Sequence, residues 1–157
     1  MHVCAAIDST AKREGYPSGG RGYKAWLADS MPIICGIGVG TALSGLSFQT
    51  KSQNGFTNEP LEKFLYKLVR CGLYHEGHLP DSIELTDHHL AGGVVTAFPK
   101  TIVYGLILAV ISSPANLGCS TKQGYFVTAN NDTFRLNECW GLRAQILQRL
   151  GFNEKAT

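Results

Sequence analysis

The stretch Leu61–Gly77, LEKFLYKLVRCGLYHEG, has the most regular helical pattern in the chain and decides the fold assignment. Apolar residues recur there every three or four positions, which is typical of a helix with one buried face. They are Phe64, Leu65, Leu68, Val69 and Leu73. Thr57 or Asn58 is expected to cap the helix, and Pro60 suits its first turn. We therefore predict a well-anchored helix over this stretch.

Two side chains near the end of this predicted helix, Arg70 and His75, are suited to act on a phosphodiester. Arginine stays charged and its planar guanidinium matches phosphate oxygens, so Arg70 can stabilise charge on a five-coordinate phosphorus. Histidine titrates near neutral pH, so His75 can transfer protons at a ribose 2′-hydroxyl and at the leaving oxygen. Because five residues turn a helix by about 140°, the two side chains converge through the reach of arginine or across a symmetric dimer. Tyr74 and Glu76 are candidate supporting residues that orient His75 or contact RNA.

Other helical patterns along the chain predict a mainly α fold with four or five helices. The further predicted helices are Met1–Gly15, Tyr23–Met31 closed by Pro32, Thr101–Ser113, and Glu138–Leu150 capped by Asn137. Thr101–Ser113 is apolar nearly all round, so we expect it at the centre of the core. In the last helix, Trp140, Ile146 and Leu147 are expected to be buried.

The predicted β structure is one small hairpin near the C-terminus, with strands at Gly124–Thr128 and Thr133–Leu136. Ile83–Thr86 has the composition of a short strand, and the polar Gln49–Thr57 is predicted to be an exposed loop. The glycine-rich Gly36–Gly40 matches neither GxGxxG nor a phosphate loop ending in GK[ST]. It is therefore predicted to be a tightly packed or irregular connection rather than a nucleotide site.

Length and composition indicate a globular protein, and we expect residues 1–157 to form one domain. Apolar residues make up 44% and charged residues 17%, and the net charge of +2 is too small to indicate nucleic-acid binding by itself. The five cysteines contain no CxxC pair and no signal peptide pattern precedes them, so we expect reduced thiols in a cytoplasmic protein. The apolar runs Met31–Phe48 and Ile102–Ser112 are expected to be buried rather than membrane-spanning, because the first is rich in glycine and the second is too short.

The residues around Arg70 and His75 resemble a known family. The run Val69-Arg-Cys-Gly-Leu-Tyr-His-Glu-Gly77 is similar to the RCGLLH variant of the HEPN superfamily, which carries an arginine and a histidine late in a core helix. The run Ala5-Ala-Ile-Asp-Ser-Thr-Ala11 is similar to the first helix of the same group, where an Ile-Asp-x-x-Ala pattern packs against the motif helix. The resemblance covers about Met1–Ser113.

The resemblance implies a compact HEPN-like helical bundle that acts as a homodimer and cleaves RNA without a metal or other cofactor. Arg70 and His75 would then be the catalytic pair, facing their copies across the dimer interface. It also implies a toxin or phage-defence setting, in which an antitoxin protein is a possible partner. The family usually has Asn, Asp or His directly after the arginine, and Cys71 stands there instead. A catalytically inactive module that binds nucleotide, RNA or a protein partner is therefore the alternative function.

The same residues are also compatible with a purely structural role or with a metal site. Arg70 can be a solvated charge on a polar helix face where Glu59 and Lys63 form an ordinary surface pair, and His75 can simply benefit from the helix dipole. A metal site can be considered because several ligand types lie close together in sequence: His75, His78, Asp87, His88 and His89. Their spacing does not match HExxH, so a surface histidine cluster is favoured over metal.

A cysteine nucleophile and a second RNA-contacting region are the remaining alternatives. Cys71 precedes His75 by one helical turn, but no third orienting residue or oxyanion loop is evident. Aromatic and basic residues elsewhere can stack on and pair with single-stranded RNA, or belong to the core. They are Tyr16, Arg21, Tyr23, Lys24 and Trp26.

Overall fold

The computed structural model describes residues 2–40, 47–52, 55–67, 83–87, 96–122, 124–129 and 131–152. Within these ranges, more residues lie in α-helices than in β-strands. The helices are α1 (His2–Arg13), α2 (Gly20–Gly38), α3 (Leu61–Leu65), α4 (Ile102–Ser112) and α5 (Arg143–Arg149). The strands are β1 (Ser47–Ser52), β2 (Gly55–Pro60), β3 (Ile83–Thr86), β4 (Thr96–Pro99), β5 (Phe126–Ala129) and β6 (Asp132–Arg135). The prediction of a mainly α protein is confirmed at this level.

The centre of the fold is the packing of α4 against α2, which is the most extensive contact between helices in the described chain. Glycines allow the two backbones to approach closely. A Cβ at Gly38 would lie 2.7 Å from the Cα of Ile102, and one at Gly105 would overlap the carbonyl of Ile34. Of the two alternatives predicted for Gly36–Gly40, tight packing is confirmed and an irregular connection is wrong, because Gly36 and Gly38 lie within α2 and are packed closely.

Helix α2 continues through Pro32, so the prediction that this proline ends the second helix is wrong. A proline inside a helix removes one backbone hydrogen bond and costs about 3 kcal/mol. The neighbouring side chains of Met31, Ile33 and Ile34 are buried, and each contributes about 1.5–3 kcal/mol. Burial of the apolar residues around Pro32 therefore outweighs the local penalty.

Helix α1 packs on both α2 and α4, as its apolar stripe predicts. Cys4, Ile7 and Ala11 are buried, and the helix ends before Gly15, which has a φ of 85° that favours glycine. The N-terminal helix expected over Met1–Gly15 is thus confirmed. The expected inward position of Trp26 in α2 is also confirmed, since this residue is fully buried.

The region before α3 differs from its prediction. Strands β1 and β2 form an antiparallel hairpin with Ser52 paired to Gly55, where the sequence predicts an exposed loop over Gln49–Thr57. The residue before the first turn of α3 is Pro60, whereas Thr57 and Asn58 belong to β2 and do not cap the helix. The polar composition of this hairpin hides it, because it lacks the alternation of apolar and polar residues that indicates a strand.

Two further pairs of strands complete the β structure. The predicted strand Ile83–Thr86 is confirmed as β3, and it pairs in parallel with the unpredicted β4. The predicted C-terminal hairpin is confirmed as β5 and β6, which are antiparallel and turn through Asn131 at a φ of 62°. The expectation of a single small β element is therefore wrong, since the described residues contain three two-stranded sheets.

The last helix is shorter than predicted. A 3-10 turn at Leu136–Glu138 precedes α5, so no continuous helix runs over Glu138–Leu150 and Asn137 does not cap one. Gly141 interrupts the segment with a φ of 74°, and a Cβ there would meet the backbone of Leu117. Ile146 is buried as expected, whereas Trp140 and Leu147 are half-buried against the core.

The apolar runs in the sequence do not produce a helix that could cross a bilayer. Among the residues that the structure describes, no helix is both long enough and apolar enough to span a membrane. Helix α4, the most apolar of the five, instead contributes its buried residues to the core. Five of those core residues are Ile102, Leu106, Leu108, Ala109 and Ile111.

Candidate functional site

The residues predicted to form the site lie outside the described part of the chain. This applies to the catalytic candidates Arg70 and His75 and to the supporting candidates Cys71, Tyr74 and Glu76. It applies equally to the histidines of the metal alternative, which are His75, His78, His88 and His89. Within the described ranges, no group of three or more His, Cys, Asp or Glu side chains is arranged to hold a metal ion.

The chain that leads to Arg70 is anchored by a carboxylate. Glu59 is buried, and its Oε1 lies 2.6 Å from Nζ of Lys67 and 3.4 Å from Nζ of Lys63. Burial by itself would raise the pKa of Glu59, but the two ammonium groups outweigh it and hold the pKa below its usual value. The expectation of an ordinary surface pair between Glu59 and Lys63 is therefore wrong, because one carboxylate withdrawn from solvent serves two lysines.

Tyr66 fixes the same segment to α2. Its ring meets Tyr23 edge to face with the centroids 5.5 Å apart, and the ammonium of Lys24 lies 5.4 Å from the centre of the Tyr66 ring. Two residues earlier, Phe64 stacks on Phe98 with the ring centroids 5.0 Å apart. The aromatic side chains of Phe64 and Tyr66 thus hold the residues that precede Arg70 against the core.

A cleft lies at the end of α1. It has a volume of about 560 Å³ and is bounded by the α1–α2 connection, the 3-10 turn after α4 and the start of α5. Its lining residues are Arg13, Glu14, Gly15, Tyr16, Pro17, Pro114, Ala115 and Arg143. The volume is in the range of small-molecule sites, so the arrangement of its charged groups decides what the cleft can do.

Glu14 and Arg143 form an ion pair on one wall of this cleft. Nη2 of Arg143 lies 3.5 Å from Oε2 of Glu14, and both side chains are mostly buried. Ser113 donates to Oε1 of Glu14 at 2.7 Å, and Arg143 donates to Ser30 Oγ at 3.2 Å. The guanidinium carbon of Arg143 also lies 5.8 Å from the ring centre of Trp26. The pair therefore joins α1, α2 and α5 in one polar network.

Asn116 connects a second set of polar groups behind the same cleft. Its side-chain nitrogen donates to the Val110 carbonyl at 2.6 Å and to Thr10 Oγ1 at 3.2 Å. Its side-chain oxygen accepts a hydrogen bond from Arg13. Because Asn116 is buried, these bonds satisfy a side chain that would otherwise destabilise the core. The network thereby ties the end of α1 to the turn after α4.

Tyr16 closes the cleft near the surface and donates its hydroxyl proton to Asp29. Partial burial, this hydrogen bond and the negative charges of Asp29 and Glu14 raise the pKa of Tyr16 to about 12. The hydroxyl therefore keeps its proton at neutral pH and is not suited to act as a base. Glu14 compensates one of the two arginines that line the cleft, Arg143, whereas Arg13 bonds to the neutral side chain of Asn116.

The described cysteines are not paired as disulfides. Burial raises the pKa of Cys35 to about 11 and also raises the pKa of Cys4 and of Cys139. Cys119 is exposed. Because the thiolate is the reactive form, the three buried cysteines are poor nucleophiles and behave as small apolar residues.

The structure shows which of the aromatic and basic residues proposed as a second RNA-contacting region are accessible to solvent. Tyr23 and Trp26 are fully buried in the core, so these two cannot stack on RNA bases. Lys24 lies over Tyr66, whereas Arg21 is exposed on α2. The sequence patterns do not single out the pair of Glu14 and Arg143 in the cleft, because each residue looks like an ordinary charge at a helix end and their pairing depends on the tertiary fold.

Comparisons with known proteins place the chain in a family without assigning an activity. A profile of the family described as Rv1289 matches residues 1–156. No curated protein and no solved structure matches the chain. The family's description names no reaction or ligand. On the extent of this match, the chain belongs to the Rv1289 family.

Proposed function

We propose that the protein is a metal-independent endoribonuclease of the HEPN type, with Arg70 and His75 as its catalytic pair. The observation that carries the proposal is the sequence Arg70-Cys-Gly-Leu-Tyr-His75, which follows a helix that begins at Leu61. The anchoring of that helix by Glu59 and Tyr66 supports the proposal, because a catalytic pair needs a rigid base.

The roles in the proposed reaction follow from the chemistry of the two side chains. His75 takes the proton of the ribose 2′-hydroxyl, whose oxygen attacks the adjacent phosphorus, and a histidine returns a proton to the leaving 5′-oxygen. Arg70 holds the phosphate oxygens and stabilises their growing negative charge. The products are a 2′,3′-cyclic phosphate and a free 5′-hydroxyl. In a homodimer, the two copies of the pair supply the base and the acid.

A second function is favoured by one residue, Cys71. The family that the motif resembles usually has a polar Asn, Asp or His at this position, and a thiol is a weaker hydrogen-bond partner for a phosphate or for His75. A protein that kept the binding surface but lost turnover would be a module for binding nucleotide, RNA or a protein partner. This candidate predicts binding by the wild type with no cleavage.

The experiment compares wild-type protein with Arg70→Ala and His75→Ala, incubated with tRNA and with mixed single-stranded RNA in EDTA. Lys100→Ala is the matched control, because Lys100 is an exposed cation on the described surface and its partner Asp87 is equally exposed. Circular dichroism and sedimentation establish that each variant folds and associates as the wild type does. The fragments are analysed for their termini.

The proposal expects cleavage by wild type and by Lys100→Ala that leaves 2′,3′-cyclic phosphate. Loss of a general acid–base group typically costs about 10²–10⁴-fold in rate and loss of a group that stabilises developing charge about 10²–10³-fold, so both site variants should fall to background. Cleavage that persists unchanged in Arg70→Ala and His75→Ala would show that the pair is structural. Binding of RNA by wild type without any cleavage would instead support the inactive module.

A further inference from the structure

The open end of the β5–β6 hairpin, away from its turn, exposes two aromatic side chains that are adjacent in sequence. Tyr125 is 55% exposed and Phe126 is 66% exposed, although rings of this size are usually found in the core. Exposed apolar area of this kind on a folded domain commonly marks a binding surface. The position of these rings at the end of a hairpin, rather than on a flat helix face, gives them access to a ligand from solvent.

A cavity of about 450 Å³ lies beside the two rings. Its lining residues are Gly124, Tyr125, Phe126, Arg135, Asn137 and Glu138. Phe126 is directly opposite Arg135 in the register of the two strands, so a ring and a guanidinium share the exposed face of the hairpin. The side chain of Arg135 is 74% exposed, and its Nη1 lies 3.6 Å from Oε1 of Glu138, which is a weak surface pair.

The hairpin that carries these groups is held rigidly from its other face. Val127 and Phe134 are buried, and the guanidinium of Arg149 lies 4.2 Å from the centre of the Phe134 ring. Arg149 also donates two hydrogen bonds to the carboxylate of Asp132, from Nε at 2.9 Å and from Nη2 at 2.7 Å. This guanidinium lowers the pKa of Asp132. The exposed rings are therefore presented on a fixed support, which reduces the ordering cost of binding.

We infer that this end of the hairpin binds single-stranded RNA, with an unpaired base stacked on Phe126 and a phosphate bound by Arg135. The ligand class rests on the proposed function, which makes RNA the substrate, and on the combination of flat rings with an adjacent guanidinium. That combination is the one with which proteins hold single strands without reading their sequence. The carboxylate of Glu138 repels a phosphate and is the present partner of Arg135. An incoming phosphate therefore has to replace Glu138 as that partner.

The test measures binding separately from cleavage, using the full-length His75→Ala protein in EDTA so that the RNA stays intact. The probe is a fluorescently labelled, mixed-sequence single-stranded RNA, followed by anisotropy, with the corresponding duplex as a second probe. The variants are Phe126→Leu, Phe126→Trp and Arg135→Ala. Tyr104→Ala is the control, because Tyr104 is a similarly exposed tyrosine, 51% accessible, on α4.

Stacking predicts that Phe126→Leu weakens binding of the single strand about tenfold while Phe126→Trp keeps it, since leucine retains apolar area but has no π face. Arg135→Ala should weaken binding and reduce the slope of log K against log salt by about one. Tyr104→Ala should bind as the parent does. The duplex should bind more weakly than the single strand, because its bases are already stacked.

The inference is overturned if the single strand binds equally well to all variants, or if no RNA binds at all. It is also overturned if Phe126→Leu changes only the sedimentation of the protein, which would make the rings a contact between copies of the chain. The outcome is independent of catalysis. Ring-dependent binding together with no cleavage by the wild type would remove the ribonuclease proposal alone. Binding that is indifferent to Phe126 together with cleavage by the wild type would remove the hairpin inference alone.

Discussion

Arg143 reaches Glu14 across the end of α1, with Nη2 3.5 Å from Oε2 and side chains that are only 17% and 11% exposed, respectively. The pair joins the first helix of the described chain to the last. An ion pair with so little solvent contact depends on both partners, because removal of either leaves a mostly buried charge without its partner.

Neutralising one partner of this pair should therefore destabilise the fold. We expect Arg143→Met and Glu14→Gln each to lower the free energy of unfolding by about 2 kcal/mol, measured by urea denaturation. The double variant should lose less than the sum, because neither charge is then left alone. Arg135→Met, which breaks an exposed pair, should change stability by no more than about 0.5 kcal/mol. Additive losses in the double variant would show that the two residues are not coupled.

Gly105 should be intolerant of the smallest substitution. In an ordinary helix, Gly→Ala stabilises by about 1 kcal/mol, but here the added Cβ overlaps the carbonyl of Ile34 on α2. We expect Gly105→Ala to lower the free energy of unfolding by about 2 kcal/mol, because packed helices have to separate. Gly124→Ala is the control, since the corresponding Cβ meets no atom within 4 Å. A melting temperature for Gly105→Ala equal to or above that of the wild type would contradict the close packing of α2 and α4.

Glu59→Gln should weaken the attachment of Lys63 and Lys67, which precede Arg70 in the chain, and so lower the stability of the fold. The charge-assisted bonds from Lys67 and Lys63 are lost, and hydrogen bonds to charged groups contribute about 1.5–3 kcal/mol. Because both lysines are about half exposed, we expect a loss near 1 kcal/mol. The folded-state pKa of Glu59 lies below its usual 4.5, so this contribution is present above that pH and disappears as the pH falls.

The measurement is the stability difference between wild type and Glu59→Gln from pH 7 down to pH 3. The difference should shrink as the carboxylate is protonated. A difference that stays constant through this range would assign the loss to shape rather than to charge. Glu138→Gln, at an exposed carboxylate, should show little difference at any pH in the series.

Tyr16 should contribute to the loss of stability in strongly alkaline solution. Its folded-state pKa of about 12 is above the usual 10.0, so the folded state holds the proton more tightly than the unfolded chain does. The resulting stabilisation is complete below pH 10 and is lost as the pH rises toward 12. Tyr16→Phe should therefore show a shallower decline of the melting temperature over this interval than Tyr104→Phe, which is the control. Identical declines would exclude Tyr16 as the titrating group.

The parts of the fold that sequence can predict are those whose signal is local. The stripe containing Ile7 and Ala11 and the uniformly apolar α4 are recognisable because each element buries residues at its own helical period. The C-terminal hairpin is recognisable from its turn residues. At Pro32, by contrast, the local penalty predicts a helix end, and the burial that outweighs it depends on packing against other elements.

The site residues divide in the same way. Arg70 and His75 are visible in the sequence because their spacing and residue types can be read from one short segment. Glu14 and Arg143 carry no such signal, since a glutamate and an arginine at helix ends are usually solvated. Only the tertiary arrangement of α1 and α5 brings them together, and a single sequence contains no pattern that specifies this pairing.

The contacts of Arg143 with Glu14 and Ser30 also order events during synthesis. The hydrogen bond from Arg143 to Ser30 spans 113 residues of sequence, so it closes one of the longest loops in the protein. On a ribosome, α1 and α2 emerge early, while Arg143 is still to be added. Until it arrives, Glu14 lacks the guanidinium with which it pairs, and the polar wall of the cleft is incomplete. The nascent chain therefore forms this ion pair only after Arg143 has been synthesised.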